Sequence, residues 1–127
     1  MPSLNKVTII GHVGDDAQMR FTPSGKPVTS FNVAAGRSYT TSDGERRDET
    51  EWFTVVTWGK LAETCNQFVA KGRLVYAEGS IKLKTWEGQD GQKHSKNEIT
   101  AQTVLFLGKR EERTEAIEEL APEDLPF

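Results

Sequence analysis

Through most of this chain apolar and polar residues alternate with a period of two, as in strands whose successive side chains face opposite sides of a sheet. The pattern predicts strands over "NKVTIIGHVG", "QMRFT", "VTSFNVAAG", "EWFTVVTWG", "RLVYAEGSIKLKTW" and "NEITAQTVLFLG". Turn chemistry in "PSGKP" joins the second stretch to the third, so the first three are expected to form a hairpin arrangement, and "EGQDGQ" joins the last two. "RSYTTSDGERRDET" has no apolar period and is expected to be a long loop. The period changes once, in "KLAETCNQFVAKG", where Leu61, Cys65, Phe68 and Val69 fall on one helical face, with Lys71 in the last turn and Gly72 as the stop. Many short strands and one intercalated helix predict an all-β chain closed into a small barrel, with the helix plugging one end.

The alternation also sorts the aromatics. In "EWFTVVTWGK", Trp52, Thr54, Val56 and Trp58 share one face and Phe53, Val55 and Thr57 the other. Parity alone leaves open which of the two is the core, since tryptophan is usually largely buried. Phe53 fits either a core or a subunit interface. In "IKLKTW", Ile81 and Leu83 are the expected core face, which leaves Trp86 beside Lys82 and Lys84 on the side that meets water. Tyr39 opens the polar stretch. Aromatics interleaved with cations on a small barrel suit a single strand of nucleic acid, because bases stack on aromatic faces for about 1–3 kcal/mol each while cations follow the phosphates.

Composition sets limits around that pattern. The chain has 127 residues, 35% hydrophobic and 28% charged, one domain's length with a polar extension. The formal net charge of −3 is unevenly spread: residues 111–127 hold seven acidic residues and one basic, while the other 110 hold 15 basic and 12 acidic. A basic body over residues 1–110 and a flexible acidic tail over 111–127 follow from that split. The early apolar run "VTII" is broken by Gly11 and His12, and no run is long enough to span a bilayer, so a cytoplasmic protein with no membrane contact is expected. The single cysteine, Cys65, fits a reducing compartment. His12 and His94 have no second ligand type at a metal spacing, and Asp15 and Asp16 beside Gly14 read as turn residues. With no phosphate-cradling "GxxxxGK" and no Ser/His/Asp arrangement, neither an enzyme nor a metal or other cofactor is expected.

"NKVTIIGHVG", "MRFTPSGKPVTSFNVA", "TEWFTVVTWGKLAE", "VAKGRLVYAEGSI" and "TWEGQDGQ" together resemble the bacterial single-stranded-DNA-binding (SSB) family, in order and at nearly its spacing. The resemblance implies a five-stranded oligonucleotide-binding (OB) fold and a homo-oligomer, usually a tetramer. It implies sequence-indifferent binding of single-stranded DNA in replication, recombination and repair, with stacking on Tyr39, Trp52, Trp58 and Trp86, and a place in the bacterial nucleoid. At the position of Trp58 the family often has Phe, and at that of Tyr39 often Trp. Lys6, Arg37, Lys60, Lys71, Lys82 and Lys84 are the candidate phosphate contacts, and Arg46 and Arg47 in the long loop are expected to be either solvated loop charge or a flexible basic flap closing over bound strand. An RNA-binding OB or cold-shock-like module and a protein-interaction adaptor are the alternatives.

The C-terminal tip "EDLPF" is similar to the family's acidic tip, which implies docking of replication, repair and recombination proteins on Glu123, Asp124, Leu125, Pro126 and Phe127. Its chemistry is legible by itself: Pro126 resists helix and sheet pairing, Phe127 is an apolar anchor, and the carboxylates suit a basic pocket. The family usually joins barrel to tip by a long linker. Here only about a dozen residues, roughly half of them charged, do so, a reach of roughly 20 Å if they are flexible coil.

Overall fold

A computed structural model describes residues 3–108, and these form six strands and one helix. In chain order they are β1 (Val7–Val13), β2 (Gln18–Phe21), β3 (Pro27–Thr40), β4 (Arg46–Trp58), α1 (Gly59–Phe68), β5 (Leu74–Glu87) and β6 (Lys93–Leu107). Hydrogen bonding follows the order β1-β5-β6-β4-β3, and His12 and Val13 of β1 then pair with Ala34 and Val33 of β3 to close a five-stranded barrel. The short β2 pairs with the beginning of β3 alone. At the closing seam a Cβ on Gly11 would land on the Ala34 carbonyl, so the backbones can approach there only without a side chain. This is the OB barrel with one helix that the sequence predicts.

The inward residues of the five barrel strands fill it: Ile9, Phe31, Val33, Val55, Val75, Ala77, Ile99 and Val104 are buried together with Cys65 and Val69 from the helical segment. Phe53 packs against this cluster, half-buried at its rim. The helix is tied down by polar contacts as well as apolar ones. The buried Thr29 hydroxyl donates to the Ala62 carbonyl at 2.6 Å, and the Thr57 hydroxyl donates to the Thr29 carbonyl at 3.0 Å. Burial pushes the Cys65 thiol up to about 11, which keeps it protonated and inert.

Three hairpins share one turn. In Thr22–Lys26, Thr41–Glu45 and Gly88–Gln92 the first residue accepts from a glycine three positions on and donates its N–H to the carbonyl four positions on. Those glycines, Gly25, Gly44 and Gly91, have φ of 87°, 88° and 77°. The left-handed residue is what a short hairpin loop needs to match the twist of its strands.

Four expectations are corrected. "RSYTTSDGERRDET" is a β-hairpin, not a long loop: β3 and β4 stay in register from Val28–Trp58 out to Thr40–Arg46, so Arg46 and Arg47 are strand residues. The turn "TSDGE" repeats the chemistry of "TPSGK", which outweighs the lack of an apolar period. The helix ends at Phe68, so Lys71 lies beyond it; Gly72, with φ of 87°, turns the chain toward β5. β6 begins at Lys93, four residues before the expected "NEITAQ" start. Leu83 is 61% exposed, because β5 and β6 continue past the barrel as a two-stranded arm with no core beneath it. Lys109, Arg110 and the acidic tail with its tip lie outside the described residues.

Candidate nucleic-acid interface

Parity and register together assemble one surface. Val55 and Thr57 point into the barrel, so Trp52, Thr54, Val56 and Trp58 point out. Thr54 pairs in parallel with Glu98, placing the outward residues of β6 on the same face, and Lys82, Lys84 and Trp86 of β5 pair with Glu98, Lys96 and His94. The outer face of β4-β6-β5 therefore carries all three tryptophans. Their exposures, 55% for Trp52 and 47% each for Trp58 and Trp86, leave part of every indole open. A wet tryptophan forfeits burial energy of order 1.5–3 kcal/mol for a large apolar side chain, and three on one face form a surface shaped for flat apolar ligands.

Each indole has its own support. The ring of Trp52 lies over Gly14, where a Cβ would come within 2.6 Å of it, and the Gly14 N–H is itself fixed to the Asn32 carbonyl at 2.9 Å. Thr54 donates to the Asn32 side chain at 3.0 Å beside it. Trp58 ends β4 at the N-cap position of α1, with no side-chain capping hydrogen bond, which puts Lys60 in the first helical turn two residues on. Trp86 stacks against His94, centroids 5.7 Å apart and planes inclined by 25°, with the Lys96 ammonium 5.9 Å from its centroid.

Cations line the same arm. Lys84 and Lys96 reach Glu98 at 3.2 and 4.0 Å, while Lys82 makes no ion pair among the described residues. The remaining candidates for phosphate contact are not gathered there. Lys6 pairs with Glu78 at 3.4 Å at the N-terminal end of β1, and the Lys71 backbone N–H is held by the Asp16 carboxylate at 3.0 Å. The Tyr76 hydroxyl, then Lys6, draw the Glu78 carboxyl below its usual range.

Tyr39 and Arg37 stand elsewhere too. Tyr39 pairs with Arg47 and Trp52 with Ala34, an odd number of residues apart along β4, so Tyr39 faces away from Trp52. Its hydroxyl donates to Glu49 at 3.1 Å and the Arg37 guanidinium covers its ring at 5.3 Å. Hydrogen bonding to Glu49, then that carboxylate's charge, raises the Tyr39 phenol above its ordinary value. Arg37 itself bonds Glu49 at 3.0 Å; Arg47 meets Glu45 at 3.3 Å and Arg46 meets Asp48 at 4.0 Å. Of four expected platforms the structure brings three together, and of six expected phosphate contacts it sets Lys82, Lys84 and Lys60 near them.

Two side chains on the tryptophan face, Lys96 and His94, lie before the expected start of β6 at Asn97 and so are absent from the sequence-based site. The signal was present: pairing outward across the Gly88–Gln92 turn sets His94 against Trp86 and Lys96 against Lys84. No group of three or more His, Cys, Asp or Glu that could hold a metal ion occurs among the described residues, and none of their helices is long and apolar enough to cross a membrane.

Comparison with known proteins bears on the same face. The chain is 39% identical over 109 residues to single-stranded DNA-binding protein 1 of Chlorobaculum tepidum, covering 85% of this chain and 67% of that one. It is 44% identical over 104 residues to a single-stranded DNA-binding protein of Caldanaerobacter subterraneus, covering 82% and 68%. It spans about two thirds of the length of these relatives, and 64% of one from Neisseria meningitidis that is 38% identical. Among solved structures, a Plasmodium falciparum SSB complex with ssDNA superposes with a TM-score of 0.76 at 25% identity, covering 85% of this chain and 98% of that one. A deletion mutant of the Thermus aquaticus single-stranded DNA binding protein superposes with a TM-score of 0.71 at 29% identity, covering 84% and 52%. With residues 4–107 matching the single-strand binding protein family, nearly the whole described barrel, the chain belongs to that family.

Proposed function

We propose that this protein binds single-stranded DNA without regard to sequence, on the outer face of β4-β6-β5. The observation that carries this reading is the placement of Trp52, Trp58 and Trp86 on one continuous face flanked by Lys82, Lys84 and Lys96. Aromatic faces accept any base, and the lysines meet a backbone common to all sequences. A duplex hides its base faces, so it offers these indoles nothing to stack on. The test is a tryptophan-fluorescence titration with a single-stranded homopolymer and with duplex over a range of salt. Single strands should quench and duplex should not, with log affinity falling against log salt at about −0.7 per phosphate neutralised. A preference for duplex, or affinity indifferent to salt, defeats the proposal.

The same reading extends to assembly and partners. Ile10, Tyr76 and Leu105 adjoin one another across the outer face of β1-β5-β6, with Ile10 47% and Leu105 39% exposed. This patch lies ten residues along β5 from Trp86, about 30 Å at strand spacing, so a second copy of the chain seated there leaves the stacking face open. A homo-oligomer, a tetramer as the family resemblance implies, would multiply stacking platforms on one strand of DNA. Ile10→Lys should lower the mass measured by light scattering if this patch is the contact. The tip Glu123–Phe127 would dock replication, repair and recombination proteins; removing Pro126 and Phe127 should abolish that capture while leaving DNA affinity unchanged.

A further inference from the structure

His94 belongs to none of the roles above, yet it is the side chain most closely built against Trp86. The two residues are directly paired across β5 and β6, with rings stacked at 5.7 Å. The imidazole is also fixed from the turn: its Nε2 lies 3.3 Å from the Asp90 carboxylate, which accepts the Gln92 N–H at 3.0 Å. Beneath it Gly88 leaves the space open, since a Cβ there would come within 2.6 Å of Nε2. Thr85, Trp86, Glu87, Lys93, His94 and Ser95 line an open groove of about 470 Å³ at this end of the arm. Tryptophan and imidazole are thus presented together, side by side, on a face that already carries lysines.

We propose that His94 is a further DNA-contacting residue, whose imidazolium meets the phosphate next to the base stacked on Trp86, making affinity for single strands increase as pH falls. The inference rests on the single-strand-binding reading above. Histidine is the side chain whose ordinary titration falls between pH 5 and 8, so this contact can gain or lose its charge under mild conditions. The charged groups around the ring are Asp90 in the turn, Lys84 and Glu87 on β5, and Lys93 and Lys96 on β6. Asp90 is the ring's ion-pair partner, at 3.3 Å. Its carboxyl is drawn below the usual range, by the Gln92 N–H and then by His94, and so stays ionised throughout the interval. A phosphate held by the imidazolium couples protonation to DNA binding in both directions.

The chain has two histidines, so a second one supplies the control. Anisotropy of a labelled oligothymidylate, whose bases do not titrate in this interval, is measured against salt at about pH 8 and about pH 5.5. Wild type should bind several-fold more tightly at the lower pH, with a salt slope steeper by about 0.7, the release expected for one more neutralised phosphate. His94→Gln should lose both differences, and His12→Gln, exposed on β1 where it pairs with Ala34 in the row of Trp52 and away from the Trp86 arm, should keep them. His94→Arg should show the tighter, steeper binding at both values. Equal wild-type affinity at the two pH values, or a pH dependence that survives in His94→Gln, overturns the inference while leaving the stacking face intact. Failure of wild type to bind at about pH 8 would instead overturn the single-strand reading and this inference with it.

Discussion

Two β-ribbons leave this barrel, and they have the same construction with opposite electrostatics. The β3–β4 ribbon and the β5–β6 ribbon both run several pairs beyond the core and both end in a turn closed by a left-handed glycine. Residues 36–51 carry three arginines against five carboxylates, and residues 82–97 four lysines against two. In the first ribbon every arginine is within 4.0 Å of a carboxylate of the same ribbon, and its aromatic, Tyr39, is committed to Arg37 and Glu49. In the second, lysines outnumber carboxylates, and its aromatic is an indole presented beside them. Charge already neutralised within the protein contributes little to holding a polyanion, because binding must first break the internal pair. Having aromatics and cations is therefore insufficient; what distinguishes the arms is that the second keeps an excess of cations, Lys84 and Lys96 sharing the single Glu98 carboxylate while Lys82 makes no ion pair among the described residues.

The most decisive way to break this comparison is to remove the two aromatics in turn. Trp86→Ala should weaken single-strand binding by about 1–3 kcal/mol with little change in melting temperature, since the indole is half exposed and no core lies under the arm. Tyr39→Ala should cost much less, since its exposed contacts are all within its own ribbon. Equal losses in an equilibrium titration would erase the distinction between the ribbons.

A second pair of variants addresses charge. Lys82→Ala should flatten the slope of log affinity against log salt by about 0.7, whereas Arg37→Ala, whose guanidinium is held by Glu49, should leave it nearly unaltered. Glu49→Gln sharpens the point from the other side. Freeing both Arg37 and Tyr39, it should tighten binding, by under about 1 kcal/mol because the pair is exposed. Weakened binding in that variant would mean that the internal network positions the ribbon for DNA rather than neutralising it.

The smallest effect is spectroscopic. Glu49 raises the Tyr39 phenol, so the neutral form persists to higher pH than in a free tyrosine; Glu49→Gln removes the negative neighbour and the midpoint should move down toward the ordinary value near 10. Ultraviolet titration in a Tyr76→Phe background isolates this group, the chain having two tyrosines. An unmoved midpoint would show that the Tyr39–Glu49 bond is absent in solution.

Most of the barrel was legible from the order of its residues. The period of two separated Val55 and Thr57 from Trp52 and Trp58, and set Trp86 with Lys82 and Lys84, because side-chain direction in a strand depends only on a residue's neighbours. The helix position was legible for a similar reason, although its end was not: Val69 is already extended, and the Lys71 amide bonds Asp16, a partner 55 residues away. The β3–β4 ribbon is not legible from periodicity, since a ribbon with water on both faces has no apolar side to alternate; only its turn chemistry marks it.

What the sequence by itself determined, then, is which side chains share a strand face and which of those faces is apolar, both local properties of the chain. Tertiary structure alone decided which faces adjoin. The parallel pairing of Thr54 with Glu98 lies 44 residues apart in the chain and is what joins Trp86 to Trp52 and Trp58. Whether an alternating strand still has a core beneath it was likewise decided by the closed barrel, so that Ile81 packs inward while Leu83, two residues further along the same face, stands in water. Register between distant strands is set by the summed packing of the whole barrel, and no window of neighbouring residues contains that sum.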